Sequence, residues 1–138
     1  MSTLRLDTIQ DQAGNNASTP DEIYSGRAKA WVNFDGTFGT SPFTTANGGI
    51  RAAFNVSSIT DNGTGDYTIN YSNSFSDSNY AVTAFAKNND NAAQESFVVS
   101  ANLSDVYTPS ATQIKLIENT SSSTLANDSN LACVAVFR

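Results

Sequence analysis

The chain has 138 residues, a formal net charge of −6 and only 14% charged residues, which predicts one domain with a surface of neutral polar side chains. Phosphate contacts need clustered lysine and arginine, so this composition argues against nucleic acid and anionic membranes as partners. The chain has no histidine, so the commonest general base and the commonest metal ligand of proteins are both missing.

The apolar runs are short. None approaches the ~20 residues that span a bilayer, so we expect no membrane insertion. The first residues also lack the apolar stretch of a signal peptide, which predicts synthesis in the cytoplasm. Cys133 is the only cysteine; it lies in an apolar run and is expected to be a small buried residue.

Residues 1–27 form a polar leader. Leu4, Leu6 and Ile9 are separated by polar residues, which predicts a short strand around residues 3–9. The leader is too short and too polar to build its own core, so we expect it to dock on a partner.

A short helix is predicted at the end of the leader. Thr19 is a favourable cap, Pro20 suits the first helical position, and Asp21 and Glu22 follow in the first turn. The helix is expected to end near Gly26.

The first strand of the body is predicted at residues 29–34. Apolar residues there alternate with Lys29, Trp31 and Asn33, which is the period of a strand with two different faces. A loop at residues 35–49 follows and contains Phe38 and Phe43. The favoured interpretation is that both aromatics pack onto the body; the alternative is exposure at a contact surface.

The remaining chain continues as short strands. Asn62-Gly63 between two alternating segments is a strong hairpin signal. The further predicted strands are residues 50–54, 56–60, 67–71, 80–86, 97–103, 114–117 and 131–137. About seven or eight strands at this spacing predict an all-β fold, a single antiparallel β-sandwich over residues 28–138.

The last strand is apolar on both faces, although a sheet with one wet face should alternate. It is therefore either central in the sandwich or covered by another subunit. We predict that Val134 and Val136, together with Trp31, form an oligomer interface.

No catalytic, metal or cofactor site is predicted. A serine nucleophile without histidine needs another base, and the three lysines lie in no known motif. Residues 61–66 and 88–91 are rich in the oxygen groups that calcium prefers, but neither has the EF-hand spacing, so turns are the favoured interpretation. Most aromatics are predicted to be core residues, particularly Tyr67, Tyr71, Phe85 and Phe97.

Three stretches of sequence carry a family resemblance. They are residues 4–11 (LRLDTIQD), 26–36 (GRAKAWVNFDG) and 55–67 (NVSSITDNGTGDY). The chain resembles virion structural proteins of tailed phages, particularly the small tail-fibre-like proteins of marine cyanophages. The resemblance covers about the first half of the chain. Residues 38–49 lengthen the connection between the motif at 26–36 and the strand at 50–54, which is usually almost direct in the family.

The resemblance implies a non-enzymatic virion component, commonly a homotrimer, that contacts other virion proteins. On this hypothesis the leader attaches to the particle through Leu4, Leu6 and Ile9. The loops at 35–49, 87–96 and 119–130 are then exposed. The possible receptor contacts in these loops are Phe38, Phe43, Asn89 and Asp90.

Two functions fit these expectations. The first is a tail-fibre-like appendage that attaches to the host surface, where a glycan is the expected receptor. The alternative is a capsid decoration protein with a purely structural role, which the small size favours because a fibre shaft has no room in 138 residues. A free carbohydrate-binding module is a weaker third hypothesis, since it leaves the leader unexplained.

Overall fold

The computed structural model describes residues 5–15, 17–87, 96–100, 106–119 and 124–138. Two antiparallel sheets pack face to face, which confirms the predicted all-β sandwich. The helix and strands of the described residues are α1 (Pro20–Gly26), β1 (Ala28–Phe34), β2 (Ile50–Phe54), β3 (Val56–Gly63), β4 (Asp66–Tyr71), β5 (Ala81–Ala86), β6 (Ser96–Ser100), β7 (Tyr107–Thr108), β8 (Ala111–Asn119), β9 (Thr124–Ala126) and β10 (Ala132–Phe137).

The strands divide into a four-stranded sheet, in the order β2-β1-β10-β5, and a six-stranded sheet built on the path β3-β4-β8-β6. Strands β7 and β9 both pair with β8. These two strands have only two and three residues, too few for a periodic pattern, and they account for the excess over the seven or eight strands predicted.

Strand β10 lies in the middle of the four-stranded sheet, between β1 and β5. Val134 and Val136 point into the sandwich and are buried there. The prediction that they form an oligomer interface is therefore wrong. Because the strand is apolar on both faces, its sequence does not reveal which face is the inner one.

The hairpin of β3 and β4 is confirmed, but its turn lies at Thr64-Gly65 rather than at Asn62-Gly63. Asn62 stays in β3, and its side chain donates to Thr68 Oγ1 at 2.9 Å. Gly65 has φ of +66°, and a Cβ there would lie 2.6 Å from the carbonyl oxygen of Leu116. The turn therefore uses the glycine that approaches β8 most closely.

The leader differs from its prediction at one point. Of the strand expected around residues 3–9, only Ile9 pairs among the described residues, in an isolated bridge with Ser18 whose two hydrogen bonds are 2.8 Å long. Residues 5–8 form no strand or bridge with any other part of the chain that the structure describes, and an extended segment needs a partner edge to become a strand.

The predicted short helix is confirmed as α1. Thr19 and Glu22 form a reciprocal capping box, in which Glu22 N donates to Thr19 Oγ1 at 3.2 Å and Thr19 N donates to Glu22 Oε2 at 2.7 Å. The bond from the Thr19 backbone is the main cause that lowers the pKa of the Glu22 carboxyl. None of the residues of α1 is buried, so local capping holds the helix rather than packing. Within the described residues no helix is long and apolar enough to cross a membrane.

The core contains a cluster of three aromatic side chains, Phe34, Phe43 and Tyr67, whose ring centroids lie 5.1 to 6.4 Å apart. Tyr67 is fully buried. Its hydroxyl lies 2.5 Å from Asp128 Oδ1 and 2.9 Å from the carbonyl oxygen of Gly36. Burial is the main cause that raises the pKa of Tyr67, and the Asp128 carboxylate adds to it, so the phenol stays protonated.

Gly36 is packed too closely for a side chain. A Cβ there would lie 2.6 Å from the Tyr67 hydroxyl and 2.8 Å from the carbonyl oxygen of Ser129. Gly36→Ala should therefore destabilise the fold by roughly 1–3 kcal/mol, measured by chemical denaturation. Gly39→Ala is the matched control, because nothing lies within 4 Å of its Cβ position. Equal stability of the two variants would contradict the packing described.

The buried phenol of Tyr67 predicts a loss of stability in alkali. Its pKa is raised in the folded state, so its contribution is complete below about pH 10, the ordinary pKa of tyrosine, and is lost as the pH rises above that value. The loss for this group is up to ~1.4 kcal/mol per pH unit. Tyr67→Phe should cost about 1 kcal/mol at neutral pH and make the alkaline decline shallower.

Urea denaturation at a series of pH values from neutral to alkaline measures this difference. Tyr24→Phe serves as control, since Tyr24 is exposed in the folded protein, and it should keep the wild-type profile. An unchanged alkaline slope in Tyr67→Phe would show that this phenol does not carry the effect.

Candidate association surfaces

The loop at 35–49 folds back onto the sandwich. Phe43 is fully buried and exchanges backbone hydrogen bonds of 2.8 and 3.0 Å with Ile59. Phe38 is half-buried and packs edge-on against Phe43, with ring centroids 5.7 Å apart. The prediction of Phe43 as a receptor contact is therefore wrong, and the favoured interpretation, packing onto the body, holds for both aromatics.

Two other predicted receptor contacts, Asn89 and Asp90, lie outside the described residues. So does Leu4 of the predicted attachment set. The other two members of that set, Leu6 and Ile9, are both exposed. Their accessibility is what an attachment role requires.

The described residues of the leader, 5–15 and 17–27, bury no side chain in the sandwich. Four large apolar side chains are instead exposed to solvent: Leu6, Ile9, Ile23 and Tyr24. Hydrogen bonds of the Ile9–Ser18 bridge and of α1 shape this segment locally, but they leave its apolar side chains exposed. These four side chains of the leader therefore remain available to an apolar partner.

The solvent side of the four-stranded sheet, called here the outer face, is the other apolar surface. Trp31 is 40% exposed, Phe54 is 50% exposed and Phe85 is 61% exposed. Trp31 is paired in register with Phe54 on one side and with Ala135 on the other, and Cys133 is paired with Phe85. The outer face is therefore continuous across all four strands.

A shallow groove of about 420 Å³ runs over the outer face between Trp31 and Phe85. None of its lining side chains carries a formal charge. Cys133, which we expected to be buried, is half-buried in the lining of this groove. The groove offers mainly apolar contact area, to which Cys133 adds a free thiol, so the surface is suited to binding an apolar partner.

The exposure of Phe85 corrects one core prediction. Tyr80, Val82 and Ala84 alternate with Thr83 and Phe85, and the structure places the first three toward the core. The alternation itself was the signal that Phe85 lies on the opposite face. Tyr67 and Tyr71 are core residues as predicted, and the side chain of Phe97 lies outside the part of the chain that is described.

No family model matches the chain, and neither the curated proteins nor the solved structures that were compared with it include a match. The resemblance to phage virion proteins therefore stays a prediction. The described residues also contain no group of three or more side chains that could hold a metal ion.

Proposed function

We propose that this chain is a non-enzymatic structural protein of a tailed-phage particle. In this proposal the sandwich associates with further copies through the outer face, and the leader attaches the assembly to another virion protein. The observation that carries the proposal is the outer face, where three aromatic side chains are exposed and the groove between Trp31 and Phe85 is lined by uncharged residues, on a chain of net charge −6.

The groove on the outer face is compatible with a second copy of the same chain as its partner. Two molecules of net charge −6 repel each other overall, but contact through the groove brings together surfaces without charge. Exposed aromatic side chains supply the apolar area that protein interfaces bury at their centres. Three copies around a three-fold axis would form a closed assembly, the homotrimer that the family resemblance implies.

The leader supports the second part of the proposal. Its described residues expose apolar side chains and bury none of them in the core, and the capping box preorganises α1. A preorganised apolar segment loses less entropy on binding than a disordered one. The leader is therefore suited to docking on a neighbouring protein of the particle.

Two positions on the particle are compatible with this role. At the tail, the sandwich would serve host attachment, with a surface glycan as the expected receptor. On the capsid, it would be a decoration protein. Immunogold labelling of intact particles separates the two, since label at the tail supports the first and label over the head supports the second; label at neither place contradicts the virion assignment.

A charge on the outer face should weaken self-association. Phe85→Glu and Trp31→Glu each place a carboxylate where the proposed interface excludes water, and burying an unpaired charge is costly. We expect each variant to raise the dissociation constant at least tenfold, about 1.4 kcal/mol, as measured by sedimentation equilibrium. Thr45→Glu adds the same charge in an exposed loop and should behave as wild type. A monomeric wild-type protein, or equal association of all four proteins, would rule out this interface.

Removal of residues 1–27 should abolish incorporation into particles while the body remains folded, because the core begins at β1. The measurement is an immunoblot of gradient-purified particles, with circular dichroism to verify folding. The double substitution Leu6→Ser and Ile9→Ser in the full chain tests the same surface without a deletion. If both forms still join the particle at the wild-type level, attachment does not depend on the leader.

A further inference from the structure

A second cavity, called here the basic cleft, lies where the leader meets the sandwich. It has a volume of about 410 Å³. Its walls come from the end of α1, the start of β1, the segment at residues 73–76 and the end of β10. Three of the seven cationic side chains of the chain line it: Arg27, Lys29 and Arg138.

Two of these cations lie against one aromatic ring. Lys29 Nζ is 3.6 Å from the ring centroid of Tyr24, and the guanidinium carbon of Arg27 is 5.7 Å from it. Such cation–π contacts hold the side chains in place but do not neutralise their charge. The ring therefore concentrates two positive charges at one wall of the cleft.

The third cation is already compensated. Arg138 donates from Nε to Asp77 Oδ1 at 3.1 Å, and its terminal nitrogen pairs with Asp77 Oδ2. This bidentate pair is the main cause that lowers the pKa of the Asp77 carboxyl. Asp77 therefore does not serve as the counter-ion of the other two cations.

Of the two other cations, Arg27 and Lys29, the lysine is the unusual one because it is buried. It is only 9% exposed, and its ammonium donates to the carbonyl oxygen of Arg27 at 3.2 Å. Neither Lys29 nor Arg27 has an ion-pair partner among the described residues. Desolvation and then the Arg27 charge lower the pKa of Lys29, which is the direction expected when no carboxylate compensates an ammonium.

We propose that the basic cleft binds a single oxyanion group, a carboxylate, sulfate or phosphate, with Lys29 and Arg27 as its charged contacts. An oxyanion supplies the negative charge that the two cations lack, and charge-assisted hydrogen bonds to it are stronger than neutral ones. The hydroxyls of Ser74 and Ser76, which also line the cleft, offer further donors. This proposal is independent of the virion assignment.

The test uses the full-length protein labelled with ¹⁵N and titrated with sulfate, phosphate, acetate and glucuronate at constant ionic strength. We expect saturable shifts of the backbone amides around the cleft, at Ala28, Asn55 and Asn73, for at least one of these anions. Tighter binding of glucuronate than of acetate would identify a sugar-borne carboxylate as the preferred source. Tighter binding of sulfate or phosphate would identify a tetrahedral oxyanion.

Variants decide whether the two cations carry the binding. Lys29→Met keeps the apolar stem and removes the charge, and Arg27→Gln does the same for an exposed side chain; each should weaken binding at least tenfold. Lys29→Met should remain as stable as wild type, since it removes a buried charge without a counter-ion. Lys87→Gln is the matched control, because Lys87 is exposed at the opposite end of β5.

A site with a millimolar dissociation constant would be saturated well below about 50 mM of anion. If no anion gives saturable shifts up to that concentration, the proposal is overturned. Equal binding by Lys29→Met and wild type would overturn it as well. Loss of binding in Lys87→Gln would indicate that the anions are attracted by the overall charge of the protein rather than by the basic cleft. It would equally count against the proposal.

Discussion

The joining of the two sheets depends on the hydrogen bonds of the Tyr67 hydroxyl. Tyr67 belongs to the six-stranded sheet, but its hydroxyl contacts Gly36, which follows β1, and Asp128, which precedes β10. Gly36 N in turn donates to the carbonyl oxygen of Ser129 at 2.7 Å. A buried hydroxyl must be paired, so the position of this one side chain fixes the two connections that lead into the centre of the four-stranded sheet.

A second group of tyrosine hydroxyls performs the same task elsewhere in the core. The hydroxyls of Tyr71 and Tyr80 lie 2.6 and 2.5 Å from Thr112 Oγ1. Tyr80 precedes β5 of the four-stranded sheet, whereas Tyr71 and Thr112 belong to the six-stranded sheet. The apolar interior excludes water but is not directional, so these paired hydroxyls set how the two layers are aligned.

Period-two patterns identified the strands wherever one face is apolar and the other polar, as in β1 and β4. These patterns did not show which face of β10 is buried. Val134 and Ala135 are both apolar, and without alternation of apolar and polar residues the sequence does not distinguish the inner face from the outer one. The alternation in β5 placed Phe85 on the face opposite to the core residues. The prediction that Phe85 is buried followed instead the general tendency of aromatic side chains to be buried. The leader strand could not be judged from sequence, since a strand exists only when an edge is available to pair with it.

The position of Phe54 links the outer face to the basic cleft. Phe54 is paired in register with Trp31 on the outer face and also lines the cleft. Asn55 follows it with φ of +54°, at the corner where the chain passes from the four-stranded to the six-stranded sheet. The side-chain amide of Asn55 donates to the carbonyl oxygens of Lys29 and Asn73 at 3.2 and 3.1 Å. Asparagine tolerates this left-handed conformation better than most residues. Asn55 therefore positions Phe54, at the aromatic edge of the outer face, next to the Lys29 backbone at the wall of the basic cleft, so the outer face and the basic cleft adjoin at this corner.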